Sequence, residues 1–256
     1  MKNTLLFTTL LTLLFFPASC SKKDNDNPQT GDPDTPTSGY VKGKVVDTKG
    51  QPIRGASIII DNTLLTNSYL TGTTNDKGEY SIKLYASTWQ AYAEMNVTYN
   101  GQTYKIDLHP DNTEGFSQQG AVRNFQWKLT GKKPLPLQGY YDATITIQET
   151  PASLLFDREN IEWTFTPVGP LIDGSQGQTI VTKCGAPFTD DYGKIRVPIG
   201  RYNVSAKHLP TGTQLKLGKT SSISEPLATT IQIDIIPYDG DLGPNSAFIK
   251  YTEKDR

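Results

Sequence analysis

The chain has 256 residues, with 25 lysines and arginines against 26 aspartates and glutamates, a net charge of −1 at neutral pH. No strong field points toward nucleic acid or an anionic membrane, so no nucleic-acid partner is expected. Two cysteines and two histidines leave little material for a disulfide framework or a histidine-rich metal centre.

The chain opens with Lys2 and an apolar run from Leu5 to Phe16. That run is too short for a bilayer core, which needs roughly 20 residues, and suits a secretory signal. Ala18 and Ser19 are the small residues of a cleavage site, and Cys20 falls at the cut. The pattern resembles the bacterial lipoprotein signal, although Pro17 stands where an aliphatic residue is commoner. The resemblance implies a signal peptide over 1–19, acylation of Cys20, and attachment to a membrane through that lipid. An ordinary secretion signal with an incidental cysteine is the plainer alternative.

Residues 20–38 contain no apolar side chain able to join a core, so they read as a disordered tether. Such a tether spans about 25 Å on average. Asp24 and Asp26 resemble the acidic signals that send some lipoproteins to the outer face of the outer membrane; solvation of the tether accounts for them equally well. With Cys20 committed to lipid, Cys184 has no partner within the chain, and fold stability has to come from burial.

From residue 39 onward the chain reads as strands. In "YVKGKVV", Val41, Gly43 and Val45 alternate with Lys42, Lys44 and Val46. "RGASIIID" makes a second strand. "NDKGEYSIKL" makes a hairpin in which Tyr80, Ile82 and Leu84 share a face and Gly78 supplies the positive φ of the turn. Further strands fit 91–99, 102–108 and 122–129, with Asn100-Gly101 as a hairpin turn. No stretch carries a helical period.

"VKGKVVDTKGQPIRGASIII" followed by "TNDKGEYSIKL" resembles the carboxypeptidase regulatory-like domain. The resemblance rests on Gly43, Val45, Asp47, Gly50, Pro52, Ile53, Gly55, Ala56, Ile58, Asp76, Gly78, Tyr80 and Ile82. It implies a prealbumin-like β-sandwich over 39–130 and no hydrolytic activity, because this domain accompanies catalytic domains without being one. The family's Gly-x-Tyr pair is missing; Trp89 and Tyr92 stand near its place. "TGKKPLPLQG", with Pro134 and Pro136, breaks the alternation and marks a boundary. Over 139–256, "DYGKIRV" repeats the form of "DKGEYSI", and "IGRY" supplies the Gly-x-Tyr pair as Gly200 and Tyr202. "TTIQIDIIP" alternates Ile231, Ile233 and Ile235. The expected fold class is therefore all-β: two tandem prealbumin-like or Ig-like sandwiches after the tether.

Chemistry is sparse. His109 precedes Pro110 in an expected loop, and His208 continues an apolar face with Tyr202, Val204 and Ala206. No His-Glu zinc motif, phosphate-binding glycine loop or nucleophile elbow occurs. The acid-rich loops at Asp111–Glu114, Asp190-Asp191 and Asp239–Asp241 lack calcium-loop spacing. No catalytic residue, metal or cofactor is expected. Trp127 and Trp163 alternate with apolar neighbours and read as inward-facing, whereas Trp89 interrupts the alternation. Trp89 with Tyr85 and Tyr92 is the candidate platform for a sugar ring, and Gln90 and Asn96 are candidate readers of hydroxyls; a ring folded over the core is the alternative. The leading expectation is a non-catalytic surface lipoprotein linked to polysaccharide capture, working beside outer-membrane uptake proteins. The alternative is a structural spacer or adhesive scaffold. The two differ in an observable way, because a spacer calls for a firm contact between the sandwiches and no exposed aromatic platform.

Overall fold

The computed structural model describes residues 35–219, 224–239 and 242–254. The expected signal peptide, Cys20 and the tether as far as residue 34 lie outside the described residues. Ten strands build the first sandwich. They are β1 (Tyr40–Val46), β2 (Ser57–Asn62), β3 (Tyr69–Thr73), β4 (Glu79–Lys83) and β5 (Thr88–Tyr99). β6 (Gln102–Asp107), β7 (His109–Pro110), β8 (Phe116–Ser117), β9 (Ala121–Val122) and β10 (Phe125–Gln126) follow. The second sandwich begins with β11 (Ala143–Glu149), β12 (Ile161–Pro167), β13 (Ile180–Thr182), β14 (Lys194–Val197) and β15 (Arg201–His208). It ends with β16 (Thr213–Gln214), β17 (Lys216–Gly218), β18 (Thr230–Asp234), β19 (Ile236–Asp239) and β20 (Gly243–Thr252). Among the described residues the only helical turn is a 3₁₀ turn at Arg158–Asn160.

The two sandwiches repeat one strand plan. In the first, one sheet runs β4-β1-β10-β7 and the other β3-β2-β5-β6. In the second, the sheets run β14-β11-β20-β17 and β13-β12-β15-β16. β1 pairs antiparallel with β4 and parallel with β10; β11 does the same with β14 and β20. The similar strings "DKGEYSI" and "DYGKIRV" occupy equivalent places. Gly78 and Gly193 both sit at positive φ, 71° and 72°, and their carbonyls accept from the amides of Val45 and Ile147. A positive φ is cheap only for glycine, so both hairpins depend on that residue type.

Alternation predicts the inward faces well. Val41, Val45, Ile58, Ile60, Tyr80, Ile82 and Leu84 fill the first core, and Trp163, Phe165, Tyr202, Ile231, Ile233 and Ile235 fill the second. The expected strand over 122–129 is instead two short pieces in one register with β1. Between them the Arg123 carbonyl turns toward Gly43 and accepts the Tyr80 hydroxyl at 2.6 Å. A Cβ on Gly43 would stand 1.8 Å from that oxygen, so glycine is what permits the approach. His109 lies on a strand and not in a loop, because the segment 109–110 pairs with β10.

One end of the first sandwich carries the incoming chain at residues 37–40, the 63–68 loop and the 84–87 loop. Leu84 donates to the Gly39 carbonyl at 2.8 Å, and the Asn62 carboxamide oxygen accepts from Ser87 at 3.1 Å. The opposite end, with the 47–56 loop and the β5–β6 hairpin, meets the second sandwich. There Thr48 Oγ1 donates to Asp173 at 2.7 Å and the Tyr99 hydroxyl to the Pro170 carbonyl at 2.8 Å. Tyr104 and Ile106 of β6 are buried in the second sandwich's core cluster, with Met95, Val97, Tyr99, Trp127 and Leu129 packed against it. The two sandwiches form one compact body.

Candidate functional site

The residues expected to form a sugar platform divide between the two faces of β5. Trp89 shares the inward face with Ala91 and Ala93 and is only 3% exposed, which corrects the expectation that its ring lies outward. Gln90, Tyr92 and Asn96 point the other way, and Gln90 Nε2 donates to the Thr113 carbonyl at 2.8 Å. Tyr85 stands apart on the preceding loop, 62% exposed. The strand's period of two separates Trp89 from Gln90, Tyr92 and Asn96.

Trp89 goes inward because it fills a corner. It is the second residue of β5, and its Nε1–H donates to the carbonyl of Tyr85 at 3.1 Å, four residues back. Tyr202 is the second residue of β15, and its hydroxyl donates to the carbonyl of Pro198 at 2.7 Å, again four residues back. Trp89 thus does in the first sandwich what the Gly-x-Tyr tyrosine does in the second: an apolar ring closes the core end and a polar edge ties down the loop before the strand. Burial pushes the Tyr202 phenol above its usual range, so it remains a donor. The signal was present in the sequence as the missing Gly-x-Tyr pair with a tryptophan near its place.

Polar clusters elsewhere serve the fold. His208 is buried, with Nε2 3.0 Å from Asp157 and Nδ1 2.8 Å from Thr211 Oγ1. Burial works to raise the Asp157 carboxyl, but hydrogen bonds from His208 and Asn160 outweigh it and hold the group below its ordinary value. The trio joins the 3₁₀ turn to the loop after β15. Asp111 receives the backbone and side-chain nitrogens of Asn124, and Asp191 receives Arg196. Cys184 is buried, and burial raises its thiol above the usual range, which is the setting of an inert cysteine. Among the described residues no group of three or more His, Cys, Asp or Glu could hold a metal ion.

A groove of about 660 Å³ lies where the sandwiches meet, lined in part by Lys105, Lys133, Tyr140, Arg196 and Tyr238. Its cations are already engaged. Lys133 pairs with Asp107 at 2.5 Å, Lys105 with Glu94 at 2.7 Å and Arg196 with Asp191 at 2.7 Å. The Arg196 guanidinium also lies 3.3 Å above the centre of the Tyr140 ring. These contacts stitch residues 131–142 to both bodies. Deeper in the joint, the Tyr104 hydroxyl donates to the Ile235 carbonyl at 2.7 Å, and His109 Nδ1 lies 3.0 Å from the Tyr141 hydroxyl. The strand expected over 102–108 contains Tyr104 and Ile106, but nothing in its sequence signals that a second sandwich would cover them.

The chain matches no family model and no curated protein. Solved structures similar to it include the Bacillus anthracis TIE protein, at 19% identity and TM-score 0.32 over 83% of this chain and 32% of that one. A streptococcal ancillary pilin matches at 13% identity and TM-score 0.26, over 85% of this chain and 62% of the pilin. A single B repeat unit of the collagen-binding surface protein of Staphylococcus aureus matches at 11% identity and TM-score 0.22, over 85% of this chain and all of the repeat, 100%. The chain spans less than two thirds of the length of the first two.

Proposed function

We propose that the chain is a non-catalytic surface protein, held to the outer membrane through Cys20, whose two sandwiches act as a rigid spacer and protein scaffold. The observation that carries this reading is the joint: Tyr104 and Ile106 of one sandwich are buried in the core cluster of the other, and Tyr104 is hydrogen-bonded there. Two bodies sharing buried apolar surface hold a fixed relation, which suits a spacer, whereas independent capture modules need no such contact. Polysaccharide capture loses its expected platform, because the Trp89 ring closes the core. The carboxypeptidase regulatory-like resemblance of the first sandwich accords with an accessory role. Held in this way, the loops at 150–157 and 183–193 sit at the end of the second sandwich farthest from the joint. They carry the exposed rings of Phe156 and Phe188.

Two assays on one preparation test the reading. The purified protein is screened against a broad polysaccharide panel, and a photo-crosslinker at Phe188 is activated on intact cells. A spacer and scaffold gives no saturable glycan binding and reproducible cross-links to protein. Saturable glycan binding without protein cross-links would overturn it.

A further inference from the structure

The end of the first sandwich that receives the chain is also its most apolar exposed surface. Leu64 is 72% exposed, Leu65 60%, Tyr69 60% and Tyr85 62%. The two loops that carry them are joined: Ser87 donates to Asn62, and the Thr63 amide donates to the Thr88 carbonyl at 3.0 Å. No charged residue occurs in 62–69 or in 84–90. The loops at the other end differ, with Asp47, Lys49 and Arg54 in one and Asp76 and Lys77 in the next.

We propose that this tip docks on the lipid surface to which Cys20 is attached, with Leu64, Leu65, Tyr69 and Tyr85 seated at the headgroup level. The occupant is set by where the chain enters. The Gly39 carbonyl accepts from the amide of Leu84, so the entering chain lies one residue from Tyr85. Eighteen residues, Ser21 to Ser38, separate that point from Cys20, a reach of at most about 60 Å. A lipid on Cys20 therefore keeps this end, and not the far one, at high local concentration over the bilayer. Leucines beside tyrosines are the side chains that settle at a membrane interface, and loops without charge lose no ionic hydration on entering it. The lipid on Cys20 fixes only the end of a tether, so a second apolar contact at the tip orients the spacer away from the membrane. The inference rests on the lipid-anchor part of the proposed function.

The test uses the full acylated protein with Cys184→Ser, labelled with an environment-sensitive dye at Leu64→Cys or, separately, at Phe188→Cys. Each is reconstituted in phosphatidylethanolamine–phosphatidylglycerol vesicles containing nitroxide-headgroup lipid. The expected result is loss of most dye emission at position 64, little loss at 188, and recovery of emission at 64 when Leu65, Tyr69 and Tyr85 are all changed to Ser. Vesicle flotation and the mass of the N-terminal peptide are read in parallel. Protein that floats but keeps full emission at position 64 overturns the docking and leaves the anchor standing. Protein that does not float, with Cys20 unmodified, overturns both.

Discussion

The hydroxyl of Tyr104, on the last long strand of the first sandwich, donates to the carbonyl of Ile235 in the second at 2.7 Å. Both residues are about 1% exposed. Their contact crosses the joint at its driest point. Burial, then the nearby Asp234 carboxylate, pushes the Tyr104 phenol up to about 12 from an ordinary 10.0. The folded value is raised, so the stability linked to this group is complete below pH 10.0 and is lost as pH climbs toward about 12.

Tyr104→Phe is expected to cost about 1–3 kcal/mol, since it leaves a buried carbonyl without its donor. Urea unfolding at neutral pH reads the loss. The variant should also flatten the decline in stability between pH 10.0 and about 12. An unchanged midpoint would place the joint outside the cooperative unit.

Trp89 gives a second expectation. Trp89→Ala opens the core end and is expected to cost about 3–5 kcal/mol. Trp89→Phe keeps most of the apolar volume and loses the bond to the Tyr85 carbonyl, a loss of about 1 kcal/mol. Thermal unfolding followed by circular dichroism separates the two. A Trp89→Ala chain as stable as the parent would show that the ring is not a corner.

Gly43→Ala places a methyl group 1.8 Å from the Arg123 carbonyl oxygen and 3.0 Å from the Tyr80 ring. Backbone has to move to admit it, and the expected cost is about 3 kcal/mol or more. Soluble yield and unfolding midpoint are the readouts.

Glu253, just after β20, makes the fold sensitive to acid. Glu253 accepts from Ser153 Oγ at 2.7 Å and from the Leu154 amide at 3.0 Å. Burial works to raise this carboxyl, but these bonds outweigh it, and the group falls to about 2 from 4.5. A depressed folded value means that the stability it lends is present above pH 4.5 and drains away as pH falls toward about 2. Glu253→Gln should lower stability at neutral pH by about 1–2 kcal/mol and reduce the slope over that acid window. Denaturant midpoints across a pH series check both.

The fold was legible where one residue type had one consequence. Gly78 marked a hairpin, and the alternation of Tyr80, Ile82 and Leu84 marked a core face, because period and turn chemistry are local. The match between "DKGEYSI" and "DYGKIRV" located two equivalent strands for the same reason. Trp89 was misplaced because breaking the alternation looks the same in sequence whether a ring turns out to solvent or folds over a core end; its bond to Tyr85 decides, and that is a matter of tertiary geometry. The strand over 102–108 was legible, but the interfacial place of Tyr104 was not, since a local pattern does not name what covers a face. The Gly43–Arg123 approach joins residues eighty positions apart, a relation no local pattern encodes.

A distance distribution between the sandwiches tests the rigid spacer most directly. Spin labels are placed at the exposed positions Thr71→Cys and Val181→Cys, in a chain carrying Cys20→Ala and Cys184→Ser, and read by pulsed dipolar spectroscopy. A rigid joint gives one narrow peak at the separation of the described structure, unchanged by moderate salt and broadened by Tyr104→Ala. A broad or multi-peaked distribution in the parent chain would contradict it.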